Sequence, residues 1–257
     1  MAMLNKDKVL DSYIKLFSKQ TLILVIITTT ATFFCYKNNV SSNISPGLLG
    51  VAIIFPVAFA INASYVRREK VLSHINEIRS NAYCICMIYD IYPRESILQK
   101  VNVIFLVEQF LESLILHCNS DTGRSNASFD SVVNNINAIS ICQKQLSKTE
   151  VPGPILASAN KAIVDIYKAV GGMNIVLNYR TSKALRSYTT IFLNVIPVIL
   201  VPYYCYIGSN HIIGYMLAVL YPIILAALDN IQEDLEDPLD SIGIDDIKLE
   251  EEFRRIR

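Results

Sequence analysis

The sequence has no surplus of charge of either sign: its 23 basic and 23 acidic side chains cancel over 257 residues. A chain with no net field is not drawn to a polyanion, so no nucleic-acid partner is expected. Metal-site spacing is missing as well. The six cysteines (Cys35, Cys84, Cys86, Cys118, Cys142, Cys205) and three histidines (His74, His117, His211) are scattered, and Cys84 and Cys86 are separated by one residue instead of the two of a zinc or redox motif. Nor is there a nucleophile beside a base, a paired-carboxylate pattern, or a glycine loop that would cradle phosphate; Gly171-Gly172 lies in no such motif. These absences exclude the common enzyme classes. No internal repeat, low-complexity tract or useful strand-period alternation is present, which leaves an all-α fold.

What the chain has in excess is apolar length. Its hydrophobic content is 52%, more than a soluble domain of this size needs. The excess is concentrated in uncharged runs: TLILVIITTTATFFCY from Thr21 to Tyr36, and PGLLGVAIIFPVAFAINASY from Pro46 to Tyr65. A second pair follows the middle of the chain, SYTTIFLNVIPVILVPYYCYIG from Ser187 to Gly208 and HIIGYMLAVLYPIILAAL from His211 to Leu228. A helix needs roughly 20 mostly apolar residues to span about 30 Å of hydrocarbon, and these runs supply that length with their flanks. They are apolar all the way round, which signals lipid and not a one-sided soluble core. The fold expected is an all-α integral membrane protein with four transmembrane helices in two hairpins, and membrane lipids as its surroundings.

Basic residues set the expected orientation. Lys6, Lys8, Lys15 and Lys19 precede the first run, Arg67, Arg68 and Lys70 follow the second, and Arg180, Lys183 and Arg186 precede the third. Residues 208–210 carry no charge, and the first hairpin carries only Lys37. By the positive-inside rule both termini and the middle segment are cytoplasmic. Residues 1–20 are charged throughout and lack a cleavage site, so the first run is expected to stay in the membrane. The triplet Asn43-Ile44-Ser45 then faces outward, although the proline after it opposes glycosylation. The organisation read from these features is a cytoplasmic segment 1–20, a membrane pair 21–66, a cytoplasmic helical region 67–186, a membrane pair 187–228 and an acidic cytoplasmic segment 229–257.

In the middle region the spacing predicts helices over about Glu69–Tyr89, Ser96–His117, Asp130–Leu146 and from near Ile155 toward Val176. The breaks fall at Tyr92-Pro93-Arg94, at the polar stretch 119–128, and at Val151-Pro152-Gly153-Pro154. Within the membrane runs, Pro56, Pro197, Pro202 and Pro222 each remove a backbone donor, and the carbonyls they free need partners on neighbouring helices or water. Pro56 lies between Phe55 and Phe59, which with Val51 form a narrow stripe at i, i+4, i+8. Such a stripe packs, faces lipid, or, if copies of the helix surround an axis, becomes stacked apolar rings that gate by dewetting.

Three segments resemble the bestrophins and their bacterial relatives. FAINASYVRREK from Phe59 to Lys70 is similar to the family's apolar-Asn-small-Tyr-Arg pattern. Leu185-Arg186 with Pro197 eleven residues after the arginine repeats a family spacing, and Glu236-Asp237-Pro238-Leu239 before Asp245-Asp246 resembles its acidic closing segment. The departures mark a divergent branch: Arg68 stands where an aromatic is usual, Leu239 replaces the common Phe, and Asp240 the common Gly. The resemblance implies a homopentamer around one pore, conducting chloride or other monovalent anions, bicarbonate included, although some bacterial members prefer cations. It places the neck on Val51, Phe55 and Phe59, with Asn62 and Arg67 toward the vestibule and Val176 at an inner aperture. Two phenylalanine rings suit an anion, because the ring edge is positive.

Residues 229–246 are dense in oxygen ligands of the kind calcium takes. Animal bestrophins hold calcium in a comparable clasp and bacterial ones lack it; Asp237, Asp240, Asp245 and Asp246 are the candidate ligands by type. The competing reading of these carboxylates is a solvated cap, or pairing with Arg254, Arg255 and Arg257. Competing functions are a membrane-anchored receptor or scaffold whose cytoplasmic helices bind a partner, and a coupled transporter. The latter usually carries charge at mid-membrane and related halves, which are absent here.

Overall fold

The computed structural model describes residues 19–43, 46–91, 97–119, 125–146, 151–179, 183–207, 211–239 and 246–254. Among these residues the chain is helical: α1 (Lys19–Lys37), α2 (Pro46–Ile91), α3 (Ile97–Asn119), α4 (Asn126–Leu146), α5 (Gly153–Asn178), α6 (Lys183–Ile199), α7 (Val201–Ile207), α8 (His211–Glu236) and α9 (Leu249–Phe253). It divides into two units, one holding residues up to Tyr65 with Thr181–Glu236, the other Val66–Arg180 with Asp237–Arg257. The basic segment before Lys19, Ile44-Ser45, the break at Tyr92-Pro93-Arg94, the turn Ser209-Asn210, and Asp240, Asp245, Arg255 and Arg257 lie outside the described residues.

In the first unit α1 packs along α8, α7 and α6. The sides of α1 are sorted in reverse of a soluble helix. Thr21, Leu24, Thr28 and Thr32 are buried against its neighbours, while Leu22, Ile23, Ile26, Ile27, Phe33 and Phe34 are exposed. Apolar side chains gain nothing by packing on each other when the surroundings are hydrocarbon, so small polar residues take the helix–helix seam and let backbones approach. Among the described residues two helices, Lys19–Lys37 and His211–Glu236, are long and apolar enough to cross a membrane; Ala184–Ile199 with Val201–Ile207 makes a third if taken as one span. The fourth apolar run, 46–65, forms the first part of α2.

The proline effects expected from the sequence have visible answers. Pro222 has no N–H, which leaves the Ala218 carbonyl, four residues earlier on α8, without its helical donor. The Thr28 hydroxyl of α1 reaches that carbonyl at 2.8 Å, in a buried contact. The run expected as one span, Ser187–Gly208, forms two helices over its described residues, bent by 42° at the break at Leu200. The break lies between Pro197 and Pro202, and the second of these cannot donate to the carbonyl of Val198. Helix α1 ends in a Schellman motif: Asn39 takes the left-handed conformation (φ 52°), Val40 N–H donates to Cys35 O (2.9 Å) and Asn39 N–H to Tyr36 O (3.3 Å). Ser42 N–H then ties the connection to Pro202 O at 3.2 Å. At the other end of the unit, the Arg186 guanidinium donates to the Glu236 carboxylate at 2.6 Å, where Glu236 is 4% exposed.

The second unit is an apolar helical core. Val71, Ile75, Ile78, Ala82 and Ile85 form a buried seam of α2 at alternating steps of three and four, packed with Phe110 and Leu114 of α3, Ile139 of α4, and Ile166 and Met173 of α5. Helix α4 begins four residues earlier than its apolar pattern predicts, because Ser125 accepts the Ser128 N–H and caps it (3.2 Å). Gly172 of α5 makes room for a side chain: a Cβ there would stand 2.7 Å from the His74 ring. The C-terminal strap packs on this unit, with Leu239, Leu249 and Phe253 buried, Ile247 N–H bonded to Pro238 O (2.8 Å), and Glu252 paired with Arg79 (3.1 Å).

The largest difference from the sequence reading is α2. A membrane run to Tyr65 and a separate helix from about Glu69 were expected; the two are one helix of 46 residues. No glycine or proline stands between Pro56 and Ile91, and arginine, lysine and glutamate are good helix formers. Charge marks where a membrane ends, not where a helix must.

Replacing Thr28 with Val is expected to leave the Ala218 carbonyl unpaired and cost about 1 kcal/mol, while Thr28→Ser keeps the bond. Thermal unfolding in detergent checks it by ranking wild type and the serine variant above the valine variant. Glu236→Gln is expected to cost about 1–2 kcal/mol in the same assay, discounted for the partly exposed arginine. Arg186→Ala, which takes the guanidinium away from a buried carboxylate, is expected to cost more than Glu236→Gln.

Candidate pore-lining face

Helix α2 sorts its side chains into two sides along its length. Val57, Ala60 and Ser64 are buried within the first unit, whereas Val51, Phe55 and Phe59 are 55%, 60% and 64% exposed. The two phenylalanine rings stack with centroids 6.4 Å apart and planes at 27°, so they form one aromatic ridge that the chain does not cover. Pro56 sits inside the helix beside this ridge.

The exposed side continues in register. Asn62 is exposed, followed by Tyr65, Glu69, Ser73, Asn76 and Ser80 at helical steps of three and four. Along this stripe the chemistry changes from apolar to polar where the uncharged run ends. A face turned to lipid has no use for Glu69, Ser73, Asn76 and Ser80, and a face buried against another apolar helix has no use for them either. A stripe of this composition suits water at its polar end and a narrow dewetted passage at its apolar end.

The remaining sequence-predicted positions sit as follows. Arg67 is half-buried in the second unit, and its guanidinium donates to the main-chain carbonyl of Val176 at 2.8 Å. The two residues are thus brought together, but by a backbone contact. The Val176 side chain packs against the helical core, and its neighbours Ile175 (60%) and Tyr179 (77%) are the exposed apolar side chains at that end of α5. Arg68 pairs with Glu69 at 3.7 Å. Sequence reasoning missed both arrangements, since nothing in the spacing of Arg67 and Val176 marks a contact over 109 positions.

Of the four acidic candidates, Asp237 is buried and Asp246 half-buried. Calcium takes six to eight oxygens, and two carboxylates fall short of that set without Asp240, Asp245 and main-chain carbonyls. Among the described residues no three histidine, cysteine, aspartate or glutamate side chains are grouped to hold a metal ion. The adjacent Glu236 carboxylate is already engaged by Arg186.

A further buried polar group lies in the second unit. His117 Nδ1 is 2.7 Å from Ser128 Oγ, and its Nε2 is 3.2 Å from Asn174 Oδ1, which also accepts from Asn178 at 2.8 Å. This network joins the end of α3 and the start of α4 to α5, a structural use of a histidine that the sequence left unassigned.

Neither a family model nor a curated relative matches this sequence. Solved structures do. A crystal structure of a bacterial bestrophin homologue from Klebsiella pneumoniae carrying a single substitution is 16% identical, with a TM-score of 0.77 over 92% of this chain and 96% of that one. A second crystal structure of a bestrophin homologue from Klebsiella pneumoniae, phased on zinc, gives 16% identity and 0.77 over 92% and 94%. A crystal structure described as a membrane protein variant gives 15% identity and 0.78 over 92% and 94%. Identity this low speaks for the backbone and not for the activity. The long two-sided second helix, the paired apolar runs around a helical middle and these likenesses converge on one statement: the chain has the fold of the bacterial bestrophin homologues.

Proposed function

We propose that the chain assembles as a homo-oligomer, with five copies, into an ion channel whose neck is lined by Val51, Phe55 and Phe59. The observation that carries this reading is the uncovered stripe on α2, apolar over Val51–Phe59 and polar from Asn62 onward. In a single chain this stripe is exposed for no reason of its own. Arranged about an axis, it becomes a constriction of aromatic rings opening into a polar vestibule. The topology in this reading is four crossings with both termini and the second unit cytoplasmic, as the basic residues direct.

Chloride and other monovalent anions such as bicarbonate are the proposed permeant ions. Phenylalanine edges in the neck present positive quadrupole to a partly dehydrated anion. Arg67 and Arg68 contribute less than their charge suggests, because one is bonded to the Val176 carbonyl and the other paired with Glu69. They serve chiefly to fix α2 where it leaves the membrane. A second constriction at the cytoplasmic end is proposed at Val176, which is partly buried against the core, with its exposed neighbour Ile175. Calcium at the acidic segment belongs to the proposal as a separate element, with Asp237 and Asp246 among its ligands.

Purified protein in liposomes is expected to pass chloride with unitary currents, and a mass measurement in detergent to give five copies. Phe55→Ala with Phe59→Ala widens and wets the neck, so chloride flux rises or its preference over cations changes. Currents unchanged by the double variant would remove these rings from the pore. Absence of any flux favours a membrane-anchored scaffold, slow saturable flux a transporter, and flux carried by potassium or sodium a cation channel. For calcium, the expected outcome is a higher unfolding midpoint in calcium than in a chelator, abolished by Asp237→Asn with Asp246→Asn; equal midpoints would exclude the ion.

A further inference from the structure

Cys35 and Cys205 come together at one end of the first unit. Cys35 lies in the last turn of α1 and Cys205 in the last turn of α7. The Cys205 Sγ is 3.9 Å from the carbonyl of Thr32, one turn before Cys35 on the same helix face. Cys35 lies three residues on from Thr32, at the position whose side chain borders that carbonyl in a helix. Both cysteines are partly exposed, and neither is bonded to another cysteine.

The surroundings hold this pair in place without help from the sulfurs. The Schellman motif ends α1 through the Cys35 carbonyl itself, and the Ser42–Pro202 bond fixes the following connection to the start of α7. Tyr36, next to Cys35, sits edge-on to His211 with centroids 4.4 Å apart. A Cβ at Gly214 would fall on the Tyr36 hydroxyl, so the approach of α8 at this point depends on glycine. A disulfide between two helices is favoured where other contacts already hold the helix ends together.

We propose that Cys35 and Cys205 form a reversible disulfide that staples α1 to α7. The oxidant is a small-molecule disulfide such as oxidised glutathione. One cysteine thiolate attacks a glutathione sulfur and releases one glutathione thiol; the second thiolate then displaces the other glutathione. One protein S–S bond forms, one glutathione S–S bond breaks, and the two cysteine protons end on the two glutathione thiols. The compartment in which this happens rests on the orientation proposed above, which puts these helix ends on the non-cytoplasmic, oxidising side. The chemistry itself does not.

The other cysteines serve as internal controls. Cys84, Cys86, Cys118 and Cys142 all belong to the second unit, and Cys118 is fully buried.

The test uses the full chain in detergent, treated with oxidised glutathione or with dithiothreitol, then unfolded, labelled with N-ethylmaleimide and mapped by mass spectrometry. Six maleimides per chain are expected after reduction and four after oxidation, the difference of two being the Cys35–Cys205 linkage, recovered as one peptide pair. Cys35→Ser and Cys205→Ser should each abolish that pair and leave a glutathione adduct on the remaining cysteine. The oxidised wild type should also unfold at a higher temperature than the reduced form, with no such difference in either variant. Six maleimides after oxidation, or linkage through any other cysteine, overturns the proposal. In sealed vesicles, closure by impermeant oxidised glutathione only from the cytoplasmic side would overturn the orientation and leave the disulfide standing.

Discussion

A backbone group placed in hydrocarbon has no water to turn to, and the rest of this structure follows from how that demand is met. Four prolines within the apolar runs create carbonyls without helical donors. At Pro222 the neighbouring helix answers directly, through the Thr28 hydroxyl on the Ala218 carbonyl. Around Pro197 and Pro202 the chain answers by breaking, and α6 and α7 meet at an angle of 42°. Thr28, which looks out of place in an apolar run, is therefore part of what allows Pro222 to be there. The reversal of α1, polar toward its neighbours and apolar outward, is the same demand expressed over a whole helix face.

The second unit obeys the ordinary rules of a water-soluble helical core, with large apolar side chains inside and charge outside. One helix serves both environments. At Val57 and Ile61 α2 packs in the core of the first unit, and beyond Val66 its buried seam belongs to the second unit, while Val51, Phe55 and Phe59 stay uncovered. The functional reading depends on that uncovered side. An aromatic ridge that grades into asparagine, glutamate and serine has the composition of a passage from a dry constriction to a wet chamber, and no single copy of the chain gives it a purpose.

Charged residues near this passage carry less of the function than their position suggests. Arg67 and Arg68 stand just past the uncharged run of α2, yet one is bonded to a main-chain carbonyl and the other to a glutamate on the same helix. Glu236, in a segment rich in possible calcium ligands, is occupied by Arg186. In each case an interaction that fixes a helix end has taken a side chain whose type alone would have assigned it to ion handling.

The sequence by itself determined the helical class, the apolar runs and the stripe of Val51, Phe55 and Phe59, because each is a property of one segment read along its own axis. The resemblance carried by residues 59–70, 185–197 and 236–246 led to the fold that the solved bestrophin homologues share. Tertiary structure alone decided the rest: that α2 is unbroken, that Val176 turns into the core while Ile175 does not, that Thr28 serves Pro222, and that Cys35 meets Cys205. Periodicity says which way a side chain points from its own helix. It carries no information about what a helix more than a hundred residues away brings to the same place, and these contacts exist only once the helices are packed.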